Sequence, residues 1–275
     1  MNAAPPGSAG VNVRLVAGKS AITRLWCSNP VKILTPRPRG PSVWAYLSSF
    51  GGGFVAGDET RLEVEIGPRA RCFITTQAST KVYRNPDSRP CGHCLDARVG
   101  EGALLVLAPD PVQSFAGSTY RQTQNFHLAP ASGLILLDWF SSGRAACGER
   151  WGFHRLSSRN DIFIGGERVI LDAMLLDHAH GPLGSQHRLG RFNTVALMVL
   201  AGELLHGEIK TTLDRVAAQP AARRSRLIFS ASPVREGLVL RVAGESQEEV
   251  AHYVYDTLRF AGAWLGDDPW ARKLN

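Results

Sequence analysis

The feature that most constrains this chain is a period of two. In the stretch RLEVEIG, Leu62, Val64 and Ile66 alternate with charged residues, the mark of a strand with one buried face. Comparable short segments recur from Val11 to about Leu176: ARCFITTQAST, ALLVLAP, GLILLDWF and DIFIGGERVILDAMLL. Gly, Pro, Asn or Asp divide them at a spacing of about ten to twelve residues. No long amphipathic helix intervenes, so the pattern predicts all-β packing rather than βαβ units. No repeat of fixed length is visible, and the pattern alone leaves sandwich, barrel and solenoid open.

The last hundred residues read differently. RFNTVALMVLAG (Arg191–Gly202) predicts one more buried strand, followed by a helix from about Glu203 to Ala218 that Pro220 ends. GLVLRVAG (Gly237–Gly244) predicts another strand. Ser246 and Glu249 have the spacing of a capping box, and Val250, Tyr253, Val254, Thr257, Leu258 and Ala261 follow at helical intervals. These predict a helix over Gln247–Leu265, closed by Gly266 and Pro269. No linker composition interrupts the chain, so 1–275 is expected to form one domain. Residues Met1–Gly10, small and polar with two prolines, are expected to fray.

Apolar residues make up 44% of the chain and charged ones 20%, enough for a sizeable core and outside the disordered class. The net charge of +7 comes mostly from arginine, which suits acidic partners. Aromatic residues are not interleaved with the basic ones as stacking platforms for nucleic acid require. Five cysteines are an odd count and too few for a disulfide scaffold. The start lacks a charged segment followed by an apolar one, and the longest apolar runs fall far short of a bilayer span. A cytoplasmic protein without nucleic acid or membrane partners is expected.

Four motifs invite chemistry. GGGFVAGD (Gly51–Asp58) lacks the Lys-Ser/Thr and following helix of a phosphate loop, and predicts a tight turn that places Asp58. CGHC (Cys91–Cys94) could be a redox dithiol, but Pro90 before it and two glycines soon after do not read as the helix such a dithiol needs. As a metal clip it would offer Cys91, His93 and Cys94, completed by Cys72, Cys147, His127 or a second subunit. Ordinary loop residues are the third reading. His178, His180 and His187 form a loose cluster at best. Asp138 shares strand parity with Leu134, Leu136 and Phe140, and Asp172 with Ile170, Met174 and Leu176, so both carboxylates are expected on an apolar face. Such a carboxylate must be paired, protonated or wetted. Either each pairs with an arginine, Arg144 or Arg168, or both line an internal water-filled path.

Five ordered blocks resemble the urease accessory protein D family, called H in some organisms. They are GGGFVAGDETRLEVEIGP, TTQASTKVYR (Thr75–Arg84), GALLVLAPDPVQSFAGS (Gly102–Ser118), LLDWFSSGRAACGERW (Leu136–Trp151) and the ILDAMLLD stretch to Asp177. The second, with PDPV and DWFSSGR, looks closest to the eukaryotic branch, which places the chain in a nucleated cell's cytosol. The resemblance implies a mainly β fold of stacked sheets with β-helical topology and about two α-helices towards the C-terminus. It implies a non-enzymatic chaperone that binds apo-urease and, with accessory proteins F and G (the GTPase), forms a nickel-insertion complex in which this chain could be dimeric.

The resemblance also implies an internal tunnel for nickel in transit, whose positions here are Asp58, Thr80, Asp138 and Asp172, with Arg144 and Glu149 shaping the surrounding loops. Carboxylates and water hold nickel(II) less tightly than imidazole and thiolate, so spaced acids attract the ion and release it. CGHC lies outside the family pattern; zinc at Cys91 and Cys94, or thiol–disulfide exchange there, is the rival reading. The RRSR patch (Arg223–Arg226) has no implied role and is expected to be solvated.

Overall fold

The computed structural model describes residues 5–37, 39–87, 89–219 and 224–271. The chain begins with β1 (Ser8–Val16), β2 (Lys19–Cys27), β3 (Val31–Leu34), β4 (Val43–Ser49) and β5 (Gly53–Phe54). It continues through β6 (Glu59–Ile66), β7 (Arg71–Thr76), β8 (Thr80–Val82), β9 (Cys91–Val99), β10 (Leu104–Leu107) and β11 (Val112–Ser114). Then come β12 (Thr119–Leu128), β13 (Gly133–Ser141), β14 (Arg155–Ile164), β15 (Glu167–Asp177) and β16 (Thr194–Ala201). Helix α1 (His206–Ala217), strands β17 (Leu227–Val234) and β18 (Gly237–Gly244), and helices α2 (Gln247–Thr257) and α3 (Ala261–Leu265) complete it.

From β4 to β14 the chain winds as a solenoid. One sheet holds β6, β9, β12 and β14 in parallel, and a second, facing sheet holds β4, β7, β10 and β13 in parallel. The short strands β5, β8 and β11 form a narrow third side. This is the β-helical topology expected. Successive coils are uneven: Leu62 pairs with Leu95, Leu95 with Gln124, and Gln124 with Asn160. That unevenness is why no repeat of fixed length shows in the sequence. Antiparallel strands flank the stack, with β2 and β15 at the edges of the first sheet and β3 and β17 at those of the second.

Burial follows the alternation. On β6, Thr60, Leu62, Val64 and Ile66 are buried, whereas Glu59, Arg61 and Glu63 are exposed. The inward residues of both sheets form the central core, including Leu62, Leu95, Phe126, Ile162, Leu134 and Leu136. Strand β13 is buried on both faces. Its other face, through Ile135, Leu137 and Trp139, packs in a second core against the C-terminal helices. There Trp139 meets Tyr255 edge-on and Tyr255 stacks on Trp270, with centroids 6.1 and 4.9 Å apart. The helices thus fix the strand that carries Asp138.

Three expectations are corrected. Ser8–Gly10 do not fray; they are the buried start of β1, whose pairing with β6 on one side and β2 on the other satisfies their backbone groups. Residues 1–4 lie outside the described residues, as do Pro220 and Arg223. The helix expected over Gln247–Leu265 is broken at Leu258 into α2 and α3. Ser246 does cap α2, accepting from the Glu248 N–H at 3.1 Å. Glu249 does not close the box; its carboxylate lies 3.2 Å from Arg226, which also faces Glu245. No helix among the described residues is long and apolar enough to cross a membrane.

Candidate functional site

Parallel pairing stacks equivalent positions of successive coils into rungs across the first sheet's inner face. One rung runs Thr60, His93, Gln122, Ser158, Met174. The next runs Leu62, Leu95, Gln124, Asn160, Asp172. An apolar interior would place aliphatic side chains throughout; here polar ones form a row along the solenoid axis. Asp138 enters it from β13 on the facing sheet. Its Oδ1 accepts from Gln122 Nε2 at 2.9 Å, and its Oδ2 accepts from Ser158 Oγ at 2.7 Å and Asn160 Nδ2 at 3.1 Å. Gln124 Nε2 in turn donates to Asn160 Oδ1 at 3.0 Å.

Asp138 is 3% exposed, and no ion pair to it exists among the described residues. Burial raises its pKa above the ordinary aspartate value; Ser158, Asn160 and Gln122 oppose the rise by hydrogen bonding, and the nearby Asp172 charge adds to it. Two cavities meet at this carboxylate. The first, about 330 Å³, is lined by Thr60, Thr80, His93, Asp110, Gln122 and Asp138 among others. The second, about 560 Å³, lies between β15 and the β17–β18 hairpin and is lined by Asp138, Ser158, Asp172 and Arg241. A buried carboxylate that lines two cavities is the kind of group that attracts a small hydrated cation.

The parity reading therefore holds for both aspartates, and the arginines expected beside them do not. Arg168 pairs with Asp161, and Arg144 with Glu149. Asp172 does have a guanidinium partner, Arg241, whose own side chain is 60% exposed at the mouth of the second cavity. Asp58 does not join the site. Its carboxylate accepts from the Val55 N–H at 2.8 Å and closes a turn in which Gly57 takes φ +85°, and it lines neither cavity. Thr80, at the start of β8, lines the first cavity. Arg144 and Glu149 do shape a loop: Arg144 donates to Glu149 Oε2 at 2.6 and 2.9 Å, and Glu149 Oε1 accepts from the Ala116 N–H at 2.6 Å.

The CGHC tetrad is not a loop but the start of β9. An extended strand puts Cα atoms three residues apart at about 10 Å, beyond disulfide reach, and sends the two side chains to opposite faces. Cys91 is buried inward, donating to Val55 O at 3.0 Å and accepting from Asn85 Nδ2, and burial pushes its thiol pKa up. Cys94 points to the outer face. Neither the zinc clip of Cys91 and Cys94 nor a dithiol is formed. The exposed Glu59 carboxylate lies over Gly92, 2.0 Å from where a Cβ would be, so a side chain there would displace the end of Glu59. No cluster of three metal-ligating residues exists among the described residues, and His178 instead meets the Trp151 carbonyl at 2.5 Å. Alkylation of the native chain should label Cys27 and Cys147 readily and spare Cys72 and Cys91 until unfolding, as peptide mass spectrometry would read. A Cys91–Cys94 bridge formed under mild oxidation would contradict the strand.

His93 is the tetrad residue that lines the first cavity. Its Nδ1 meets Thr60 Oγ1 at 2.8 Å, and burial lowers its pKa to about 4, leaving the ring neutral.

A β-solenoid with a buried row of polar side chains and a C-terminal helical layer is the class this fold and site define. Residues 6–274 match the family described as UreD urease accessory protein, and the chain belongs to that family. It is 44% identical over 269 residues to the urease accessory protein UreD of Sorangium cellulosum, covering 97% of this chain and 84% of that one. It is 41% identical over 266 residues to the UreD of Anaeromyxobacter sp., covering 97% and 89%. To urease accessory protein D of Oryza sativa subsp. indica it is 33% identical over 298 residues, covering 98% and 97%. These bacterial relatives share more identities with the chain than the plant one, so overall identity does not favour the eukaryotic branch that individual motifs suggested.

Proposed function

We propose that this chain is a non-enzymatic, cytoplasmic chaperone of urease maturation that binds apo-urease and acts with accessory proteins F and G. Nickel(II) is the cargo. The ion passes along the axial row, from the first cavity past Asp138 to Asp172 and the second cavity. The observation that carries this reading is Asp138: a buried carboxylate held by three neutral donors, without a cationic partner among the described residues, that lines two cavities. Neutral donors position the oxygens without cancelling their charge, so a divalent ion is attracted there. With one carboxylate and otherwise amide and hydroxyl groups, the site holds nickel weakly enough to let it go. Membership of the urease accessory family supports the choice of cargo.

The test is co-expression of apo-urease with accessory proteins F and G, with and without this chain, reading nickel content and urea hydrolysis. Activation should need the chain. Full nickel loading without it would refute the proposal.

A further inference from the structure

Resting on that reading, we infer that His93 is the passage's specificity contact: through Nε2 it gives the path its one nitrogen donor and so favours borderline ions such as nickel(II) over magnesium. The argument starts from register. His93 sits on the inner face of β9, between Thr60 and Gln122 on one rung, and lines the first cavity. Gln122 is one of the three donors to Asp138, so the imidazole stands one strand spacing, about 5 Å, from a residue that holds the carboxylate.

The ring's two nitrogens have different surroundings. Nδ1 meets Thr60 Oγ1, and the Thr60 hydroxyl has the Gly92 carbonyl at 3.3 Å to receive its own proton. The relay Nδ1–H to Oγ to carbonyl oxygen is therefore available, and it leaves the Nε2 lone pair for a ligand. Among the described residues Nε2 has no hydrogen-bond partner. This is the outer-sphere support that metal-binding imidazoles use to fix tautomer and ring orientation.

The remaining polar groups of the row are oxygens or amides: Thr60, Gln122, Ser158, Asn160 and the carboxylates of Asp138 and Asp172. An all-oxygen path suits magnesium and calcium as well as any transition ion, whereas imidazole selects for nickel, copper and zinc. A single nitrogen ligand biases entry without building the closed, multi-dentate site that would trap the cargo. This assigns the tetrad a use as a strand segment, through its histidine and not its thiols.

The test uses the purified full-length chain. Nickel(II) binding is measured by equilibrium dialysis in excess magnesium for the wild type, His93→Gln, Thr60→Val and Asp138→Asn, with thermal midpoints as a folding check. His93→Gln should weaken nickel retention by roughly tenfold or more, and Thr60→Val should weaken it in the same direction. A readout that needs no variant is copper(II) electron paramagnetic resonance of the wild type, which should show nitrogen coupling from one imidazole. Nickel binding that His93→Gln leaves intact while Asp138→Asn weakens it would overturn the histidine's role and leave the passage standing. If neither variant alters nickel binding, the passage itself is wrong and the histidine's role falls with it.

Discussion

Replacing Asp138 by asparagine is expected to lower nickel-dependent urease activation by about tenfold or more while the accessory complex still assembles. The side chain is buried, so the substitution changes no surface a partner could read. Removed with the charge is the attraction that draws a divalent ion into a low-dielectric interior. The same substitution has a signature independent of nickel. Burial raises the folded-state pKa of Asp138 above the ordinary value of 3.8, so the folded chain holds that proton to higher pH than the unfolded chain does. Its contribution to stability is therefore present below the ordinary value and is lost as pH rises through the raised one. The wild type should lose stability relative to Asp138→Asn across that window, as denaturant midpoints at a series of pH values would show. Parallel pH profiles would mean that the carboxylate is not held in a desolvated setting. Activation unchanged in Asp138→Asn would remove it from the cargo's route.

Arg241→Met should have the second large effect, and of opposite character. Asp172 is 10% exposed in its side chain, and its guanidinium partner is more than half in solvent. Removing that partner leaves a nearly buried carboxylate uncompensated, at a cost of about 2 kcal/mol, between that of an exposed ion pair and a fully buried one. Adding nickel(II) should recover more thermal stability in Arg241→Met than in the wild type, because the ion can take the place the guanidinium left. The double variant Arg241→Met with Asp172→Asn should regain most of the lost stability and respond to nickel no more than the wild type does. Equal nickel responses in the wild type and Arg241→Met would show that Asp172 is not on the route.

What the sequence revealed and what it hid follow from the distance over which each signal acts. Parity within one strand is local, so the inward placing of Asp138 and Asp172 was legible from LILLDWF and ILDAMLL. The companions of those aspartates were not. Gln122, Ser158 and Asn160 meet Asp138 only because uneven coils bring β12 and β14 into one register, and Arg241 reaches Asp172 from 69 residues away. No single strand carries that information. CGHC misled for a related reason: the proline and glycines around it signal a loop, yet pairing with β6 and β12 on either side makes the segment a strand. Asp58 was placed correctly in a turn, but a turn's position relative to the interior depends on the coil above it. The break between α2 and α3 was hidden because Leu258 and Ala261 keep the helical spacing across it.

The rungs depend on which residues face one another, not on how much chain separates them. Extra residues at the corners would therefore widen a coil without disturbing its lumen, whereas a single residue inserted within β9 or β12 would turn every following side chain inside out. The architecture is permissive in circumference and strict in phase. Tolerance to insertion, scanned position by position, should trace the polar rungs as a set of forbidden intervals.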